Sequence, residues 1–168
     1  MSSSRLTRRS VLGGLALLPA CGFTPVFAPG AGATALRSAV VLGTPDSANA
    51  FLLTRALRIR LGDVETPRFS LAVDARLTEA GSVITRTQQI NRFTLTGTAT
   101  YTLATTDGVV AAEGEVRGFT AYSASGTTVA TRAARADAEA RLMEILADRI
   151  LTALAADLSS SGAGGPPA

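Results

Sequence analysis

The hydrophobic patterning predicts an α+β fold, a two-layer sandwich ordered β-α-β-β-β-α, with a mostly antiparallel four-stranded sheet and two helices on one face. Three observations carry this expectation. Alternation with a period of two runs through Phe69, Leu71, Val73, Ala75 and Leu77 and again through Phe93, Leu95, Gly97, Ala99, Tyr101 and Leu103. Helical spacing of apolar residues flanks that block on both sides, at Leu52 to Leu61 and at Leu142 to Leu154. Short Gly-bearing turns join three consecutive strands, which makes them antiparallel neighbours and leaves two amphipathic helices to cover one side of the sheet.

Each element has its own local reason. Arg37 to Leu42 is a short β-type run that Gly43-Thr44-Pro45 ends. Asp46 or Ser47 then offers an oxygen to the free amides of a first helix, whose stripe is Leu52, Leu53, Ala56, Leu57 and Leu61 and whose stop is Gly62. Arg55 and Arg58 fall on its other face. The second strand, from Phe69, turns back at Ala80-Gly81-Ser82, and a long third strand runs from Val83 to about Thr105. In it Arg92, Thr94, Thr96, Thr98, Thr100 and Thr102 share the outward parity. Thr106-Asp107-Gly108 makes the next hairpin, and Val109 to Tyr122 forms the fourth strand, with Gly114 and Gly118 as bulge or close-approach points. Arg132 to Leu158 closes the order as a long helix with Asp137 and Arg141 four apart and a stripe of Leu142, Ile145, Leu146, Ile150 and Leu154.

Composition narrows the chemistry. The 168 residues contain no His, no Trp and one Cys, which excludes His or Cys metal clusters, a Ser-His-Asp triad, a Cys-His dyad and an intramolecular disulfide framework. All 16 basic residues are Arg, and Arg5, Arg8 and Arg9 precede the first apolar run, so the remaining arginines equal the 13 acidic residues in number. The net charge of +3 therefore belongs to the N-terminal address segment and says nothing of nucleic-acid affinity.

Residues 5 to 21 have the form of a secretory leader: a positive n-region, an apolar stretch Val11 to Leu18 too short to span a bilayer, and a small residue before Cys21. Leu18-Pro19-Ala20-Cys21 resembles the lipobox cut by bacterial lipoprotein signal peptidase. The expectation is a signal peptide over 1–20 and acylation of the Cys21 thiol, where each buried CH₂ contributes about 0.8 kcal/mol to membrane anchoring. Arg8-Arg9 also resembles a twin-arginine signal, and both export routes stay open. Gly22, where Asp would signal inner-membrane retention, favours the outer membrane. Residues 21–35, with Pro25, Pro29, Gly30 and Gly32, read as the lipidated N-terminus and a tether, 36–158 as a single domain, and 159–168 as a disordered tail.

Two stretches resemble the LPS-assembly lipoprotein family, LptE, in its alphaproteobacterial form: Cys21-Gly22-Phe23-Thr24-Pro25-Val26-Phe27, and Ala136-Asp137-Ala138-Glu139-Ala140-Arg141-Leu142 with Leu146-Ala147-Asp148-Arg149-Ile150. The β-α-β-β-β-α order matches as well. The resemblance implies a non-enzymatic protein without cofactor or metal, lipid-anchored on the periplasmic side of the outer membrane. There it enters the lumen of the β-barrel LptD and assists lipopolysaccharide transport to the outer leaflet. An auxiliary lipoprotein of a lipid-trafficking ABC transport system is the alternative.

For the lipopolysaccharide ligand the relevant groups are arginines, whose planar forks match phosphates and acidic sugars. Arg76, Arg86 and Arg92 lie on outward parities and are the candidate contacts, Arg86 and Arg92 being roughly 20 Å apart along a regular strand. The Thr ladder suits a polar barrel lumen and equally a solvated strand of good β-propensity. Glu113 and Glu115, about 7 Å apart on one strand face, have a spacing that suits a catalytic carboxylate pair, but their small polar neighbours favour solvated charges. Phe69, Phe93 and Tyr101 on the buried parity argue against nucleic-acid stacking.

Overall fold

A computed structural model describes residues 36–84, 90–124 and 126–160. The order is β1 (Val40–Leu42), α1 (Ala48–Leu61), β2 (Phe69–Ile84), β3 (Ile90–Thr105), β4 (Val110–Ser123) and α2 (Thr128–Ser160). This is the expected β-α-β-β-β-α arrangement. The strands lie side by side as β1-β2-β3-β4, with β1 parallel to β2 and the other neighbours antiparallel. A parallel pair needs a crossover, and α1 supplies it.

The ends of α1 are set by chemistry visible in the sequence. Ser47 is the cap: its hydroxyl accepts from the Ala50 N–H at 3.0 Å, satisfying one amide that the helix leaves unpaired. At the other end Gly62 takes φ +79°, a conformation that costs a residue with a Cβ, and its N–H donates to the Arg58 carbonyl. Leu53, Leu57 and Leu61 then face inward, while Arg55 and Arg58 are exposed.

Both helices pack on one side of the sheet, and the core lies between the layers. Leu71, Leu95 and Leu103 from the sheet meet Leu53 and Leu57 of α1 and Leu142, Leu146, Ile150 and Leu154 of α2, all essentially inaccessible. Each such side chain contributes about 1.5–3 kcal/mol relative to exposure. Between β3 and β4, Gly97 pairs with Gly118 directly beneath α2, and a Cβ at Gly97 would lie 3.0 Å from Leu146 and 3.1 Å from Leu142. The two glycines let the helix approach where side chains would hold it off. Arg60 crosses from α1 to Asp148 of α2, and this hydrogen-bonded charge partner holds its guanidinium above the ordinary value.

The first strand starts at Val40 rather than Arg37, residues 37–39 forming a turn, β4 is shifted by one residue at each end, and three further boundaries differ from the sequence expectation. The hairpin does not turn at Ala80-Gly81-Ser82: β2 continues to Ile84, which pairs with Ile90, and the register shifts between Gly81 and Val83 and again between Val83 and Ile84. The Gly-Ser signal marks irregular pairing inside the strand, a known alternative to a turn. The long strand expected over Val83–Thr105 is therefore divided, and residues 85–89, Arg86 among them, lie outside the described residues. Finally, α2 begins at Thr128 rather than Arg132, because Thr127 already caps it through its hydroxyl to the Ala130 N–H at 3.3 Å, and it runs on to Ser160.

Candidate functional site: the open face of the sheet

The side of the sheet away from the helices is uncovered, and register assigns its residues to rows. On β3 the outward parity is Thr94, Thr96, Thr98, Thr100 and Thr102, as expected. Cross-strand pairing places Asp74, Thr100 and Glu115 in one row, and Arg76, Thr98 and Arg117 in the next. Beyond these come Thr78, Thr96 and Phe119. An acidic row thus borders a basic row, each with a threonine at its centre.

Adjacent rows neutralise each other along the strands. Arg76 Nε lies 3.4 Å from Asp74 Oδ2, and Arg117 Nη2 lies 2.8 Å from Glu115 Oε1. These pairs stay wet, with the Arg76 side chain 88% and the Arg117 side chain 74% exposed. Exposed pairs of this kind contribute about 0–1 kcal/mol, so an incoming anion can displace the carboxylate at little cost. A shallow hollow of about 290 Å³ opens beside the acidic row, lined by Gly43, Thr44, Asp46, Asp74, Thr100 and Thr102.

Of the sequence-predicted arginines, Arg76 and Arg92 stand apart on the sheet. Thr98, the partner of Arg76, stands six residues from Arg92 on β3, roughly 20 Å along the strand. Arg92 pairs with Ser123 and lines a separate depression with Ala134, Asp137 and Arg141 of α2. Arg86 and Cys21 fall outside the described residues. The side chain that does stand in line with Arg76 is Arg117, which the sequence reading passed over. Its signal was the Glu-x-Arg spacing at 115 and 117, which puts both on one strand face, but only the β3–β4 register shows that this face meets Arg76.

Glu113 and Glu115 do share the outward parity, yet Glu115 is tied to Arg117 and Glu113 is exposed opposite Thr102. No group of three or more Asp, Glu or Cys suited to a metal occurs among the described residues. Phe119 is 71% exposed on β4, at the edge of the face, an apolar side chain among polar neighbours. Among the described residues no helix is long and apolar enough to cross a membrane.

A helix-backed sheet with an open face of threonines and paired charges defines a class of small two-layer α+β domain. Comparison with known proteins sharpens the class. The family model LptE, lipopolysaccharide-assembly, matches residues 39–154, and the chain belongs to that family. The resemblance drawn from the sequence is thereby borne out.

Solved structures show the same fold. A lipoprotein of Caulobacter crescentus CB15 is 19% identical, with a TM-score of 0.63 over 76% of this chain and 96% of that one. Rare lipoprotein B of Shewanella oneidensis is 13% identical, with a TM-score of 0.57 over 74% of this chain and 97% of that one. Lipoprotein B of Nitrosomonas europaea is 15% identical, with a TM-score of 0.54 over 73% and 84%. No curated protein sequence matches this chain.

Proposed function

We propose that the chain is an outer-membrane lipoprotein, acylated at Cys21, that assembles with the β-barrel LptD and assists delivery of lipopolysaccharide to the outer leaflet. Family membership supplies the lipopolysaccharide-assembly part of this reading. The single observation that supports the rest is the open sheet face. A barrel lumen is polar, and the Thr94-to-Thr102 ladder flanked by Asp74, Arg76, Glu115 and Arg117 offers it hydrogen-bonding groups in regular rows. The helix layer stays on the opposite side of the sheet.

In this reading Cys21 carries the anchor, and the domain reaches the barrel from the periplasmic side. Arg76, Arg86 and Arg92 are the candidate lipopolysaccharide contacts, with Arg117 added by the register. Their partners would be phosphates, met through the guanidinium fork. No catalytic group takes part.

Two measurements test it. The mass of the mature N-terminal peptide reads the anchor directly, with an acylated Cys21 expected and an uncut leader bearing a plain thiol contradicting it. Affinity purification of the native protein reads the partner. The barrel is expected to co-purify, and Thr98→Glu on the open face is expected to reduce its recovery at unchanged melting temperature. Recovery of the native chain as a free soluble monomer would overturn the proposal.

A further inference from the structure

The outer edge of β4 is the long backbone edge that the described sheet leaves open, since β1 at the other end has only three residues. Residues facing each other across an antiparallel pair alternate between bonding one another and turning their N–H and C=O groups away. The Arg117 carbonyl accepts from Arg149 of α2, so it lies on the free side of the strand. Register is regular from Ala112 to Ser123, and with a period of two Glu113, Glu115, Phe119 and Ala121 turn their backbone groups the same way. Among the described residues no other hydrogen bond reaches this backbone row.

Beside the edge a groove of about 560 Å³ runs between β4 and α2, lined by Val116, Thr152, Ala153 and Ala156 together with Arg117 and Arg149. Asp148 is engaged by Arg60 and Glu115 by Arg117, which leaves Arg149 a cation that no carboxylate pairs among the described residues. Phe119 stands two residues along the edge from Arg117 and is largely exposed. The strand contains no proline, the residue that would block pairing with another chain. Unsatisfied backbone groups, an apolar groove and an unpaired cation thus occur together along one edge.

We propose that the free edge of β4 takes up an extended segment of the barrel partner as a fifth strand, with apolar side chains of that segment in the β4–α2 groove and a carboxylate on Arg149. The inference rests on the proposed barrel partnership and adds the mode of contact. Strand addition draws its affinity from main-chain hydrogen bonds and its selectivity from pockets for alternate side chains. An incoming N–H replaces the Arg149 guanidinium on the Arg117 carbonyl, and the released cation meets the carboxylate. A barrel closes its wall strands on one another, so the segment comes from a loop or from chain outside the wall. The added strand lengthens the open face without covering it, and the threonine ladder stays available to the lumen.

Amide exchange resolved residue by residue tests this on full-length processed protein, once produced without the barrel in detergent and once as the native complex. In the free protein Val116, Gly118 and Thr120, bonded to β3, are expected to exchange slowly, and Glu115, Arg117 and Phe119 fast. In the complex the three fast amides are expected to slow by at least about tenfold. Phe119→Pro removes an outward N–H while sparing the ladder to β3, and is expected to cut recovery of the barrel at least about threefold below that of Phe119→Ala. Circular dichroism and melting temperature show whether the proline is tolerated; should it not be, the exchange comparison on the parent decides alone. Glu115, Arg117 and Phe119 amides that exchange at the same rate in the complex as in the free protein overturn the inference and leave the partnership standing. Failure of the barrel to co-purify with the parent overturns both.

Discussion

Beneath α2, single atoms decide how close the layers come. Gly97 and Gly118 face Leu142 and Leu146, and a methyl group at Gly97 meets two leucine side chains at 3.0–3.2 Å. Those leucines are fully buried and have nowhere to retreat. Gly97→Ala is therefore expected to destabilise the domain by about 1–3 kcal/mol, the usual cost of overpacking, read as a lower urea midpoint at unchanged m-value. Tyrosine offers a second test at this scale. Burial, with a contribution from Asp157, raises the Tyr101 phenol above its ordinary value, and burial with Glu79 does the same for Tyr122. A raised folded pKa favours the neutral phenol in the native state, so its stabilisation is complete below the unfolded pKa of about 10 and is lost as pH climbs through the folded value. The chain has two tyrosines and no lysine, leaving these phenols as the domain's alkaline titrants. Melting temperature should fall above about pH 10 in the parent and fall less steeply in the Tyr101→Phe, Tyr122→Phe double variant.

Among elements, β4 carries the clearest liability, since it closes the sheet with fourteen residues and one side unpaired by any strand. The protein meets this with charge and cover: Glu113, Glu115 and Arg117 stand on the strand, and Arg149 of α2 donates to the Arg117 carbonyl. Arg149→Ala removes the cover without opening the core, because Arg149 is exposed. It is expected to leave the melting temperature within about 1 °C and to raise self-association, read by sedimentation velocity at increasing concentration. The same strand shows where sequence reasoning stops. The alternation of β2 and β3, the Ser47 and Gly62 caps and the leucine stripe of α2 were legible because each depends on near neighbours in the chain. The irregularity at Ser82 and the alignment of Arg117 with Arg76 were not, because a Gly-Ser pair serves a turn or a strand irregularity equally, and register between strands is fixed by contacts far apart in sequence.

At the scale of the whole molecule the governing feature is charge balance. After the leader arginines the acidic and basic residues are equal in number, and on the open face the balance is local, Arg76 against Asp74 and Arg117 against Glu115. Such a face has no long-range pull on anions, which distinguishes it from a nucleic-acid surface, yet it holds two guanidinium forks ready for any phosphate that arrives by another route. If lipopolysaccharide phosphates compete with the carboxylates, removing the competitors should strengthen binding, whereas removing the forks should weaken it. Asp74→Asn combined with Glu115→Gln is expected to tighten the binding of purified lipopolysaccharide by about three- to tenfold at low salt, since each exposed pair costs up to about 1 kcal/mol to break. The gain should shrink as ionic strength rises, because the arginines then act as exposed charges that salt screens. Arg76→Gln combined with Arg117→Gln should lose affinity at every salt concentration, with the melting temperature of both double variants close to the parent because the two arginines are largely solvated and the two carboxylates partly so. Affinity that responds to neither pair would move the ligand off this face altogether, and the arginines there would then be no more than partners for their own carboxylates.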